Sequence, residues 1–321
     1  MDELSDAAGV PMSAITNAPQ SGTAERAERL ARAWRLWITA GPGLFWIVLF
    51  LVLPSMILLA IGFFSIGNYG NPHLPLTLTP IREVAGYSIL GWSPANITTI
   101  LRSLLQAVSA AGLTILLAYP VVFFIIAQPP ALRPLLLLFV ILPSWTNQVV
   151  RTYAWMELLG PGSALSHLAQ TLGLLPPHLG LMPGLLAMQI GLTYNYLPYM
   201  VVPLYAAAEK LDWSLVEAGR DLYASGARLF WSAVFPQTLP GLLSGIILVA
   251  IPAFGDYVVP TLLGGGKSMM IGALIAAQFL QTPNWPYGAA LTIFMLIFTC
   301  AGLLVFRVMS KRLGSSEGSM L

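Results

Sequence analysis

The sequence predicts an all-α polytopic membrane protein with six transmembrane helices and one structured polar loop between the fourth and fifth. Three observations carry this reading. Hydrophobic residues make up 57% of the chain and charged residues only 9%, with a mean hydropathy of +0.77, outside the range of soluble domains. Apolar runs of the roughly 20 residues that a bilayer requires recur along the chain. The few charges are also unevenly placed: Asp212, Glu217, Arg220, Asp221 and Arg228 share one stretch between two such runs. A chain of this composition is not divided by length into soluble domains.

Taken in order, residues 1–23 are small and polar and are expected to form a disordered tail. Residues 24–40 carry Arg26, Arg29, Arg32 and Arg35, with Leu30, Trp34 and Trp37 on one apolar stripe. This is the pattern of an amphipathic helix lying in the membrane interface; nucleic acid is not an expected partner. An early apolar segment is missing, so no cleavable signal peptide is expected. The transmembrane domain is assigned to 41–312, with spans at about Gly41–Ser65, Leu101–Ala127, Pro134–Met156, Pro183–Ala207, Pro240–Leu263 and Tyr287–Phe306. The connection Ile66–Ile100 reads as a re-entrant or surface structure, and 313–321 as a tail. The single Cys300 excludes an intrachain disulfide. Inner loops and tails then hold Arg26, Arg29, Arg32, Arg35, Arg133, Lys210, Arg220, Arg228, Arg307, Lys311 and Arg312, against Arg82, Arg102, Arg151 and Lys267 on the outer side. That bias places both termini and the polar loop in the cytoplasm.

The polar loop, 208–239, reads as helix-turn-helix. Asp212 is placed to cap the first helix. Ser225-Gly226 breaks it, with Gly226 free to take positive φ. The second helix is expected over about Ala227–Phe235, stopping at Pro236, which lacks a backbone donor. Leu215, Leu222 and Leu229-Phe230-Trp231 put apolar side chains on a segment facing water, the signature of docking onto another protein. Glu217-Ala218-Gly219, three residues, Tyr223, nine residues, and Ala233-Val234-Phe235-Pro236 keep the spacing of a known motif. The stretch resembles the EAA loop of inner-membrane permeases from binding-protein-dependent ABC importers. Gly219, Tyr223, Ala233 and Phe235 depart from that pattern, and Gly226 is expected to replace the turn glycine missing at Tyr223. The resemblance implies that Glu217, Ala218, Gly219, Asp221, Tyr223, Gly226 and Pro236 form a coupling segment seated in a groove of a separate ATPase.

Charges inside spans are costly and therefore candidates for function. Arg151 and Glu157 fall in the third span and Asp256 in the fifth, between Pro252 and Pro260, where a kink is expected. Trp145, Tyr153, Tyr194 and Tyr257 join Glu157 and Asp256 as a candidate pathway for an ammonium-bearing solute, with Trp155 and Tyr196 nearby. Interfacial aromatics and structural ion pairs are the other reading of the same residues. Trp145-Thr146-Asn147, Arg151-Thr152-Tyr153, Leu262-Leu263-Gly264-Gly265 and Asn284-Trp285-Pro286 look like the spermidine/putrescine permeases; relatives for ferric iron, thiamine or opine-type solutes share much of the pattern. The resemblance implies alternating access, a second homologous permease, two ATPase subunits that bind ATP and Mg, and an extracytoplasmic binding protein, with lipid around the spans. No catalytic, cofactor or metal residue is assigned here. Gly264-Gly265-Gly266-Lys267-Ser268 lacks the earlier glycine of a phosphate loop, where Thr261 stands. His73, His167 and His178 are scattered. A lone secondary transporter would carry paired repeats, and a membrane-embedded enzyme a cluster of reactive side chains; neither is seen.

Overall fold

The computed structural model describes residues 34, 38–88, 91–173, 175–176, 179–265 and 269–317, without the side chains of 88 and 309–317. The expected tail 1–23 and all of the interfacial helix except Trp34 and 38–40 lie outside the described residues, as do His178 and Lys267. The chain falls into two units, 1–57 and 58–321. An apolar helix, α1 (Ile38–Ile61), has none of its most apolar stretch buried in the chain and contains a π turn at Val48–Val52.

In the second unit, two antiparallel strands, β1 (Phe64–Ile66) and β2 (Pro72–Leu76), form a hairpin. The short helix α2 (Thr79–Val84) follows, then a second pair, β3 (Tyr87–Ser88) and β4 (Gly91–Trp92). The connection expected as a re-entrant or surface structure is thus this hairpin, helix and strand pair. Helix α3 (Ala95–Ile126) runs unbroken through Pro120 and buries a line of small residues, Ser103, Ala107, Ala110, Ala111, Thr114 and Ala118. Small side chains let neighbouring helices come close where no water is available to drive association.

The third expected span is not one rod. Helix α4 (Arg133–Ile141) tightens into a 3₁₀ turn at Leu142–Trp145, and α5 (Gln148–Leu159) leaves at 90°. Pro143 lies within that turn, and Thr146 and Asn147 are non-helical. The Asn147 side chain accepts the Val149 amide at 2.8 Å and so starts α5 in a new direction. After α6 (Ala164–Thr171) comes α7 (Leu185–Ala208), continuous through Pro198 and Pro203, with half of its residues buried. Helix α8 (Trp213–Asp221) leads to α9 (Gly226–Phe254), then α10 (Val258–Leu263), α11 (Ile271–Leu280) and α12 (Trp285–Glu317). The last helix runs past Phe306 into the expected 313–321 tail. Among the described residues, four helices, α1, α3, α9 and α12, are long and apolar enough to cross a membrane, and five spans result if the bent α4–α5 pair counts as one.

Helices α3, α7 and α9 form the core. Val122, Ile125 and Ile126 meet Leu204, Tyr205 and Ala208, with Val234, Leu242 and Val249 packed in the same cluster. At the other end Ala107 meets Ala253, Phe254 and Ile271, so α3 and α7 run together and α9 runs back. Glycine sets the α7–α9 spacing. A Cβ on Gly241 would lie 2.4 Å from the Pro203 carbonyl oxygen and 2.5 Å from the Ala207 Cβ; on Gly245 it would lie 2.5 Å from Met200 Sδ. Gly241→Ala must therefore push the two backbones apart. The expected cost is about 1–3 kcal/mol, read as a lower midpoint of thermal unfolding in detergent, and an unchanged midpoint would contradict the packing described.

Candidate functional site

The segment joining α7 to α9 is built from local hydrogen bonds. The Asp212 carboxylate accepts the Ser214 amide at 3.0 Å and the Ser214 hydroxyl at 2.6 Å, capping α8. These donors hold the Asp212 carboxyl below its usual range. Its capping contribution is therefore complete above the ordinary carboxylate pKa and is lost only as pH falls through the lowered value. The Gln237 side chain accepts the Asp212 amide at 2.9 Å and ties the start of α8 to α9.

Helix α8 ends in a turn that the sequence placed wrongly. Tyr223 itself takes φ +55°, where a glycine was expected to be needed. Gly226 is the first residue of α9, without positive φ, and Ser225 caps that helix through its hydroxyl. Nor does Pro236 stop the second helix. A π turn at Phe230–Val234, closed by the Phe235 amide on the Phe230 carbonyl, passes directly into the rest of α9. Pro236 sits in the first turn after that widening, where a missing donor is tolerated. Gly219 lies against α9: a Cβ there would come within 2.4 Å of Leu229 Cδ2. Glu217, Ala218 and Asp221 are exposed. So are Leu215, Leu222 and Trp231, with Leu222 at 81% and Tyr223 at 96% of full exposure. The result is a short capped helix presenting acids and large apolar groups together.

At the opposite end of the core, Asp256 organises the break between α9 and α10. It is 6% exposed. One carboxylate oxygen accepts the amides of Val258 at 2.9 Å and Val259 at 3.2 Å; the other accepts Gln148 Nε2 at 2.8 Å and the Tyr196 hydroxyl at 3.0 Å. Asp256 thus caps α10 and ties it to α5 and α7. This corrects the expectation of a carboxylate open to a passing cation, because four donors from the chain occupy it. Gly272 allows α11 to press on this turn, its Cβ position being 2.1 Å from the Gly255 carbonyl oxygen. Of the other expected pathway residues, Tyr194 packs edge-on against Trp155 at 5.3 Å. Trp145, Tyr153 and Tyr257 are exposed, as is Glu157. None of these five side chains, among the described residues, hydrogen-bonds to Asp256. Among the described residues, Arg151 Nε and Nη1, the Thr193 hydroxyl and both amide atoms of Asn195 are buried without a hydrogen-bond partner.

Sequence reading missed a polar pocket of about 380 Å³ between α2, α3, α11 and α12, lined by Glu83, Asn96, Gln278 and Tyr287 among others. These residues are too far apart in sequence to form a motif, and no local signal joins them.

The family described as "Binding-protein-dependent transport system inner membrane component" matches residues 113–315. The spermidine/putrescine transport system permease protein PotB of Haemophilus influenzae is 34% identical over 268 residues, covering 84% of this chain and 91% of that protein. PotB of Escherichia coli is 35% identical over 271 residues, covering 83% and 96%. Among solved structures, a bacterial alginate ABC transporter in complex with its pentasaccharide-bound periplasmic protein aligns with TM-score 0.65 at 16% identity, over 89% of this chain and 96% of that one. That likeness concerns the fold.

Two outcomes follow from the geometry. Tyr223→Gly removes a left-handed non-glycine residue costing roughly 1 kcal/mol and loses little packing. Amide exchange across 213–224 should slow; equal or faster exchange would count against strain at this turn. Asp256→Ala leaves four donors without their acceptor and should destabilise by about 3 kcal/mol, with Asp256→Asn costing less. A thermal midpoint unaffected by Asp256→Ala would refute the tie.

Proposed function

The chain belongs to the inner membrane components of binding-protein-dependent transport systems, and on that premise we propose that it is the permease subunit of an ATP-driven importer for a polyamine-like cation. Similarity to the two PotB proteins over more than four-fifths of this chain carries the choice of solute. In this reading the chain is a transport subunit that performs no covalent chemistry. It lies in the bacterial inner membrane with both termini and the α8 segment in the cytoplasm. The six spans are α1, α3, the bent α4–α5 pair, α7, α9 and α12. Helix α7 meets the length requirement; of its polar residues, Thr193 and Asn195 are buried, and the half-buried Gln189 donates to Gln106 of α3.

The α8 segment is the coupling element. Asp212 and Gln237 fix its orientation, Gly219 lets it lie on α9, and Glu217, Ala218, Asp221, Tyr223 and the apolar groups face a partner ATPase that binds ATP and Mg. A second permease and an extracytoplasmic binding protein complete the assembly, as the alginate transporter's periplasmic partner supports by analogy of fold. Closure of the ATPase dimer displaces α8, and α9, continuous with it through a short turn, carries the displacement toward the Asp256 break. Access then alternates between the two faces.

Mild-detergent purification of the tagged chain should recover an ATPase and a second permease, and ATP-driven uptake of labelled putrescine should follow reconstitution. Recovery of homo-oligomers alone would overturn the importer reading; import of other solutes but no amine would overturn the choice of solute. Glu217→Ala should lower solute-stimulated ATPase activity several-fold while membrane insertion is retained, and full coupling in that variant would remove Glu217 from the coupling role.

A further inference from the structure

The pocket at the end of the core opposite α8 has the chemistry of an amine site. Glu83, on α2, is half-buried, and burial raises its carboxyl above the usual range. Among the described residues no hydrogen bond or ion pair engages that carboxylate; Asn96 donates instead to the Glu83 backbone carbonyl at 2.5 Å. The wall around it is fixed. Tyr287 donates its hydroxyl to Asn96 Oδ1 at 2.7 Å, and the Asn284 side chain accepts the Tyr287 amide at 3.2 Å. Val84 beneath packs on Ala290 and Leu291, holding α2 against α12. Ser93 and Gln278 complete the lining with a hydroxyl and an amide.

One half-buried carboxylate surrounded by neutral oxygen acceptors suits a particular ligand class. Calcium takes six to eight oxygens, and magnesium needs a near-ideal octahedron and gives up its waters reluctantly. A primary ammonium carries one positive charge and three donors, which the Glu83 carboxylate and the Ser93, Asn284 and Gln278 oxygens can share. A partnerless carboxylate taken out of water is unfavourable, and a cation beside it removes that penalty. Next to the pocket, Gly86 has φ +93°, and a Cβ there would lie 2.5 Å from the Ser93 carbonyl oxygen and 3.2 Å from the Trp92 indole nitrogen. Trp92 pairs across the strands with Tyr87, and both rings are more than half exposed.

We propose that this pocket binds the ammonium end of a primary amine on the face of the permease away from the coupling segment. The proposal rests on the polyamine reading only for which amine arrives there.

The test is equilibrium binding of labelled putrescine to the chain, with whatever subunits co-purify, in lipid nanodiscs. Glu83→Gln should weaken binding at least tenfold, and Gln278→Leu, whose side chain makes no hydrogen bond among the described residues, should weaken it several-fold. Methylammonium at high concentration should compete, whereas magnesium at equal charge should not. Unchanged affinity in both variants, or competition by magnesium alone, would overturn the proposal. If Glu83→Gln misfolds, seen as a lowered thermal midpoint, Gln278→Leu decides alone. ATP-driven uptake separates this site from the importer reading. Putrescine uptake with an unaltered KM in Glu83→Gln would remove the site and leave the amine importer; Glu83-dependent binding without any amine uptake would leave the site and remove the choice of an amine as the imported solute.

Discussion

The contact on which the rest of the fold depends is the approach of α7 to α9. Two glycines one turn apart, Gly241 and Gly245, let one helix lie on the backbone of the other at Pro203 and on Met200. Without water to drive helices together, such packing supplies the attraction that a soluble core takes from the hydrophobic effect. With α7 and α9 held at this spacing, α3 lays its line of small residues along them and the three-helix core is complete. The position of α8 follows, since its two ends leave the C-terminus of α7 and enter the N-terminus of α9. The same rods fix the far end, where α9 stops at Phe254 and Asp256 gathers α5, α7 and α10.

Much of this was legible in the sequence. Apolar runs gave α1, α3, α7, α9 and α12 because span length is set by the bilayer, and the carboxylate of Asp212 announced its cap. The break near Asp256 was foreshadowed by its flanking prolines. What composition does not carry is direction. The apolar run over Pro134–Met156 reads the same whether straight or bent at 90°, and only the pairing of Pro143 with Asn147 marks the corner. Proline misled in the other direction at Pro236, since a π turn just before it lets the helix continue. Tyr223 was unreadable for a different reason: local bonds force a left-handed turn on a residue that seldom adopts it. Gly241 and Gly245, spaced as in a close-packing motif, were available to a sequence reading and went unused.

The candidate site divides in the same way. The proposed coupling segment is contiguous, so its spacing could be read from the sequence alone. The pathway residues were inferred from charge in apolar surroundings, and that inference does not separate a carboxylate awaiting a ligand from one already engaged. Asp256 is the second kind: every donor it needs comes from its own chain. Glu83 is the first kind, and hydropathy gave it no prominence because it lies in a connection where charge is unremarked. The discriminating property is satisfaction of hydrogen bonds, which exists only once distant segments are brought together.

The continuity of α9 bears on how the two ends communicate. From Gly226 to Phe254 it is a single helix of 29 residues, about 43 Å long at 1.5 Å per residue. Had Pro236 ended a separate short helix, the coupling segment would connect to the span through a flexible joint and small displacements would be absorbed there. Instead, the only departure from α geometry is one π turn, itself hydrogen-bonded. A displacement of α8 under the proposed mechanism therefore reaches the Asp256 turn as motion of a rod. There it meets a carboxylate whose four bonds join three other helices. The tie joins α5, α7 and α10 at the end of α9, and two of its bonds are to side chains, Gln148 and Tyr196, that a small rotation can release. A stiff lever ending in a breakable polar clasp is what a gated path requires, and the amine pocket lies at that same end, on α2, α3, α11 and α12 rather than on the lever itself.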